Sequence, residues 1–396
     1  RKRESSQKHD VSVQPVSTTA TSWRGGEVAV LHESNFLKRG ADSSNRMTPS
    51  TSKASSKTPR ASSAGKKVRS RVHTMIEAGK NSGSGEDDSN VRELVRFLER
   101  RPQCVNVTWL DKRVEDNTVP PGFTVCPTLS EVLRRCGCGA LFKHQANAIK
   151  AARSGKSVVI ATPTASGKSM CYVIPIFEAI MEEKSNAKAL LMFPLKALAN
   201  DQLNKMRRFT ECAQEMVFEI NTAAATAKST KEKNDFLNEH YPGIDMKRLQ
   251  RLADAKMAVC DGDTADDVKA EIRKQGTQVI LTNPDSLHHA MLPGHKSWGK
   301  KFWGNIKYVV LDEAHTHTGV AGSHVANVLR RLLRVCTLWD SSSRVEFICT
   351  SATISNPVAH VRRLTTRTPV CIDESGAPSG EKAMVLWQPP AAEGPS

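Results

Sequence analysis

Five short runs of β-branched and other apolar residues, each followed by a break and a helical stretch, constrain this chain more than any other feature. They are SVVIAT (157–162), ALLMFP (189–194), QVILTNP (278–284), KYVVLDE (307–313) and VEFICTSAT (345–353). Continuous apolar strands separated by helices cannot leave one face in water. They predict a parallel sheet covered by helices on both faces. The ligand sites of such sheets lie at the carboxyl ends of the strands. In this chain each run ends in residues that suit such a site.

The first run leads into TPTASGKS, residues 162–169. A phosphate-binding loop asks for Gly, four residues, then Gly-Lys-Ser/Thr. Here Thr162 stands at the opening glycine position, followed by Pro163, Thr164, Ala165, Ser166, Gly167, Lys168 and Ser169. The strand before and the helix after are the required context. Backbone N–H groups and the helix N-terminus do most of the phosphate binding, so a small polar opening residue is tolerable. The expected roles are Gly167 for close backbone approach, Lys168 for charge at the β- and γ-phosphates of ATP, and Ser169 for Mg²⁺.

The run ending in VVLDEAHTH places Asp312 at a strand end, where its carboxylate can hold the hydration shell of Mg²⁺. Glu313 beside it can orient and deprotonate an attacking water. His315 completes this acidic box. Ser351 and Thr353 of SAT follow the next strand and can carry hydrogen bonds from the nucleotide to a neighbouring domain. In FPLKALANDQ (193–202), Pro194 and Lys196 lead into a helix suited to a nucleic-acid phosphate, and Thr282 and Asn283 of TNPDSLH repeat that geometry. Gln145 lies 23 residues before Lys168, and its amide can both donate to and accept from an adenine edge.

The 396 residues carry a net charge of +16, which favours a polyanion partner, nucleic acid first. Residues 1–90 contribute 16 Lys and Arg against 9 Asp and Glu, so both this segment and the remainder are basic. With 25 Ser and Thr and few large apolar residues, 1–90 is expected to be disordered. Its RKR and KKVRSR clusters suit nuclear import or nucleic acid. Residues 91–140 read as an N-terminal helical extension, and 141–375 as the nucleotide-binding domain. Polar residues 209–256 read as an inserted surface element, and 376–396 as the start of a linker. Apolar runs are far below the ~20 residues of a membrane span. The ten cysteines form no disulfide framework, and the Cys136/Cys138 cluster lacks the second pair of a zinc site.

Taken in order, LFKHQANAI, TPTASGKS, FPLKALANDQ, DGDT, LTNPDSLH, YVVLDEAHTHTGVAGSHVANVLRRLLR, SATISNP and GAPSGEKAMVLWQPP resemble the first RecA-like domain of superfamily 2 DNA helicases of the Hrq/YprA type. The likeness covers roughly residues 120–390, and GVAGSHVANVLRRL is its most distinctive part. It implies an α/β RecA-like P-loop NTPase. It also implies ATP- and Mg²⁺-dependent 3′-to-5′ translocation on single-stranded DNA, unwinding of fork-like duplex, a role in repair and a nuclear location, with the cytoplasm as the alternative. Such proteins commonly have Tyr-Arg where this chain has His317-Thr318. They continue into a second RecA-like domain, whose motifs lie outside this sequence. Two other readings stand beside it. A DEAD-box-like RNA helicase fits less well, because the acidic box ends in His315 and no aromatic lies 17 residues before Gln145. The other is a module that binds nucleotide and nucleic acid without turning over.

Overall fold

The computed structural model describes residues 87–183, 185–225 and 229–389. In chain order the helices and strands are α1 (Asp87–Glu99), β1 (Cys104–Leu110), α2 (Pro127–Arg135), α3 (Lys143–Arg153), β2 (Val158–Ile160), α4 (Met170–Met181), β3 (Lys188–Met192), α5 (Lys196–Ala224), α6 (Thr230–His240), α7 (Met246–Ala253) and β4 (Met257–Val259). They continue with α8 (Asp266–Lys274), β5 (Val279–Thr282), α9 (His295–Trp303), β6 (Ile306–Leu311), α10 (Gly319–Trp339), β7 (Glu346–Thr350), α11 (Pro357–Thr365), β8 (Val370–Ile372) and β9 (Lys382–Trp387). Among the described residues no helix is long and apolar enough to cross a membrane.

Residues 113–379 form the larger of two compact units. Its sheet has seven parallel strands in the order β4-β5-β3-β6-β7-β2-β8. The strand interiors are buried because both faces are covered. Residues of α2 to α5 and α7 pack on one face, and those of α9, α10 and α11 on the other. One crossover decides the site. β7 lies between β6 and β2, so the segments that follow these three strands emerge side by side at one sheet edge.

The smaller unit comprises α1, β1 and β9. β1 and β9 pair antiparallel, and the Arg92 guanidinium lies 5.3 Å from the centre of the Trp109 ring. Two expectations change here. Residues 91–140 are not all helical, since alternating Val105, Val107 and Trp109 build a strand. The segment read as a linker from 376 contains that strand's partner. The expected disorder of 1–90 lies outside the described residues, except that Asp87–Asn90 belong to α1.

The inserted surface element expected at 209–256 is also corrected. α5 runs unbroken through 209 to Ala224 and buries Met206, Phe209, Ala213, Met216 and Ile220. These recur every three or four residues and make one buried stripe in a mostly polar sequence. Leu249 and Leu252 of α7 close the same core. In α10, Gly322 is fixed by packing, because a Cβ there would lie 2.4 Å from the His317 carbonyl oxygen.

Glu346, at the start of β7, has a buried Oε2 without a hydrogen bond, and burial pushes its pKa up to about 7. Only the Lys307 charge opposes that shift. The folded protein therefore holds this proton more tightly than the unfolded chain does. The resulting stability is complete below the unfolded value of 4.5 and is lost as pH rises toward 7. Glu346→Gln is expected to raise the thermal midpoint at pH 8 and leave it unchanged near pH 4.5. Melting curves of both proteins at the two pH values check this.

Candidate nucleotide site

The loop between β2 and α4 explains how Thr162 replaces a glycine. Its left-handed residues are Ala165 (φ 62°) and Gly167 (φ 79°), and Thr162 has no positive φ. Thr162 is fully buried, and its hydroxyl lies 2.7 Å from the Ser166 hydroxyl, pinning the loop across its base. Thr164 and Ala165 are exposed and Pro163 is half-buried, so the crest of the loop is open. Lys168 folds back over it, donating from Nζ to the carbonyls of Thr162 and Pro163, both at 2.9 Å. Burial lowers the Lys168 pKa, while Glu313 and Asp312 pull it back up. Those carboxylates therefore lie near enough to be felt, and the sheet order has brought the GKS and acidic-box segments together.

Gln145 departs from its expected role. It is 4 % exposed. Its Oε1 accepts from the Phe142 N–H at 3.0 Å, and its Nε2 donates to the Gly167 carbonyl at 2.9 Å. A Cβ on Gly167 would lie 2.6 Å from that Nε2. Gln145 is thus a brace for the loop, with both ends of its amide engaged inside the protein. An adenine edge would have to share them.

Asp312 follows β6, and its N–H extends the ladder to the Met192 carbonyl at 3.0 Å. The Thr350 hydroxyl at the end of β7 donates to Asp312 Oδ1, and the Glu313 N–H reaches the same oxygen at 3.2 Å. Burial still raises the Asp312 pKa, against the Thr350 bond, the Glu313 N–H and the Lys168 charge. A carboxylate left under-compensated in this way suits a cation. With the Ser169 hydroxyl and ligand phosphates it makes the small oxygen set that Mg²⁺ takes at nucleotide sites. Among the described residues, no group of three or more His, Cys, Asp and Glu side chains is placed to hold a metal by itself. Tyr172, fully buried on α4, has a hydroxyl without a hydrogen bond of standard geometry, and burial, with the Asp312 charge, pushes its pKa up.

Glu313 is left-handed (φ 51°, ψ 44°), a conformation a residue with a side chain rarely adopts. Its Oε2 is buried without a hydrogen bond. His315 Nδ1 lies 3.3 Å away, but it accepts the Ala352 N–H at 3.2 Å and so has no hydrogen to offer when neutral. This carboxylate oxygen is therefore buried at the site without a hydrogen-bond donor. Ser351 is buried, its N–H donating to the Ile160 carbonyl at 2.9 Å and its hydroxyl to the Ala352 carbonyl at 2.8 Å. Thr353 is exposed.

The expected nucleic-acid residues lie at the ends of β3 and β5. Lys196 is exposed and forms an ion pair with Asp263. Thr282 is corrected as a phosphate ligand, because its buried hydroxyl donates to the Cys260 carbonyl at 2.6 Å and ties β5 to β4. The Asn283 side chain accepts the Ser286 N–H at 2.8 Å and caps a helical turn. Pro194 is half-buried beside them. The side chains missed from sequence are Thr350, Asp263, Tyr172 and His360. Thr350 alone carried a signal, since it ends a strand as Asp312 does.

Residues 142–244 and 244–361 match the family model described as DEAD/DEAH box helicase. The chain belongs to that family. Among curated relatives, it is 36 % identical over 306 residues to the uncharacterized ATP-dependent helicase YprA of Bacillus subtilis, covering 77 % of this chain and 35 % of that protein. It is 34 % identical over 250 residues to the ATP-dependent helicase HRQ1 of Saccharomyces cerevisiae, covering 63 % of this chain and 20 % of that protein. A crystal structure of the DUF1998 helicase MrfA bound to DNA and AMPPNP superposes with a TM-score of 0.59 at 34 % identity, covering 76 % of this chain and 36 % of that one. This chain therefore spans about a third or less of the length of these three relatives. The parallel α/β sheet read from the strand pattern, and the RecA-like fold that the resemblance implied, match the corresponding part of that helicase.

Gln145→Ala leaves the Gly167 carbonyl and the Phe142 N–H without their partner. A loss of about 1–3 kcal/mol in unfolding free energy is expected, with faster amide exchange at residues 164–168. Denaturant titration and hydrogen exchange measure the two effects.

Proposed function

We propose that this chain is the ATP-hydrolysing first motor domain of a DNA helicase. The observation that carries the proposal is the meeting of Lys168 with Asp312 and Glu313 at one sheet edge, with Thr350 fixing the acidic box. In this reading the loop N–H groups and Lys168 receive the phosphates of ATP. Lys168 would exchange its two carbonyl partners for phosphate oxygens. Ser169 and Asp312 would hold Mg²⁺, which when bound neutralises charge on the phosphates. Glu313 Oε2 accepts the proton of the attacking water, because it is the buried carboxylate oxygen at the site without a donor. His315 and Ser351 report the state of the site to the segment after β7.

Single-stranded DNA and fork-like duplex are the proposed partners, RNA being the weaker fit. The chain's positive charge and the DNA in the MrfA structure support this. The strand would pass the ends of β3 and β5, with Pro194, Lys196 and the backbone at Thr282 and Asn283 meeting phosphates. Translocation and unwinding, 3′ to 5′, belong to the proposal for the whole protein, as do a role in repair and a nuclear location suggested by the basic clusters RKR (1–3) and KKVRSR (66–71).

Two substitutions test the reading. Glu313→Gln keeps the size of the side chain and removes the base. Hydrolysis by the intact protein is expected to fall about 10²–10⁴-fold while ATP binding persists, as measured by phosphate release and nucleotide titration. Loss of both together would assign Glu313 to the metal or to structure. Asp263→Asn frees Lys196 for a phosphate. It is expected to tighten single-stranded DNA binding at low salt and to steepen its decline with salt. Fluorescence anisotropy across a salt series reads both, and an unchanged slope would remove Lys196 from the strand path.

A further inference from the structure

The acidic box is gripped from three sides by the end of β7 and the chain that follows it. Thr350 holds Asp312, and the Ala352 N–H holds His315. The third grip has no counterpart in the motifs. His360, half-buried in the first turns of α11, places Nε2 2.7 Å from the Ala314 carbonyl oxygen. A carbonyl only accepts, so Nε2 carries the hydrogen whether the ring is neutral or charged. The same oxygen accepts the His317 N–H at 3.1 Å within the short 3₁₀ turn that follows Glu313. Both of its lone pairs are therefore used.

The residue before Ala314 is the left-handed Glu313. A side-chain-bearing residue holds such a conformation only where its surroundings over-determine it, and such strain gathers at functional sites. The turn's other internal bonds run to the Glu313 carbonyl, from the Thr316 N–H at 2.9 Å and the Thr316 hydroxyl at 2.8 Å. They would survive a rotation of the whole turn. The bond from His360 would not, because α11 is anchored separately by Val361 and Leu364 in the core. It ties the turn to a fixed body.

We propose that His360 is a positioning residue: its Nε2–H, bonded to the Ala314 carbonyl, holds the left-handed turn that presents the Glu313 carboxylate to water. This rests on the reading of Glu313 as the base. His360 touches no reacting atom in that reading, so its loss should change the rate of hydrolysis and spare nucleotide binding.

The test compares full-length wild type with His360→Phe, which removes the donor and keeps an aromatic ring, and His360→Gln, which retains an N–H at a comparable reach. In His360→Phe, kcat for ATP is expected to fall about 10–100-fold, the scale of a misplaced catalytic group, with KM within about 2-fold. His360→Gln should recover most of the loss. Amide exchange at residues 313–316 should quicken in the Phe variant, while exchange in β6 and α11 stays as in wild type. That second readout needs no catalysis. Absence of hydrolysis in wild type would contradict the base assignment, whereas protected 313–316 amides in His360→Phe would overturn the positioning role. Equal loss in the Phe and Gln variants, or slackening of all of α11, would also overturn it by making the histidine a packing residue.

Discussion

The hydrogen bond from Thr350 to Asp312 is the contact on which the site depends. It joins the ends of two neighbouring parallel strands, and its donor belongs to the strand between the acidic box and the phosphate loop. A buried carboxylate needs compensation, and here it comes from Thr350, the Glu313 N–H and the Lys168 charge. Burial still outweighs all three. The site is thus built around a negative charge not yet fully paid for, and a cation with a phosphate group would complete it. Lys168, resting on two carbonyls of its own loop, is the matching positive group.

The end of β7 and the segment after it give this arrangement a second property. Thr350, Ala352 and His360 each touch a different residue of the acidic box, on the Asp312 side chain, the His315 ring and the Ala314 carbonyl. A displacement of that segment moves the base and the metal-side carboxylate together. The coupling of nucleotide chemistry to motion elsewhere can therefore begin here, through bonds short enough to transmit small shifts. The left-handed Glu313 stores strain that such a displacement can release.

Much of the fold was legible in the sequence, and the physical reason is burial. β2, β3, β5, β6 and β7 are unbroken apolar runs because helices cover both faces. β4 and β8 are three-residue edge strands, only partly buried where the equally short β2 is fully buried, so no such run marks them. α5 was obscured by its own solvent face, since 29 residues with one buried stripe read as polar sequence. Strand β1 alternates Val105, Val107 and Trp109, but its partner lies more than 270 residues away, and no local rule pairs them. For the site, the motifs located Lys168, Ser169, Asp312 and Glu313 because those side chains meet a ligand. Gln145 and Thr282 were assigned outward roles although their polar atoms turn inward. His360 was invisible, and Asp263 was seen only within DGDT and not as the partner of Lys196, since a backbone carbonyl and a distant lysine leave no mark in spacing.

Through its hydrogen bond, Thr350 holds Asp312 in the charged, cation-ready form. Thr350→Val removes the hydroxyl and preserves shape. The Asp312 carboxyl pKa, followed by ¹³C NMR, is predicted to rise further above its ordinary value of 3.8 in that variant, and Mg²⁺-dependent nucleotide binding near neutral pH to weaken in parallel. An Asp312 pKa and Mg²⁺ requirement identical in the two proteins would show that Thr350 does not hold the carboxylate.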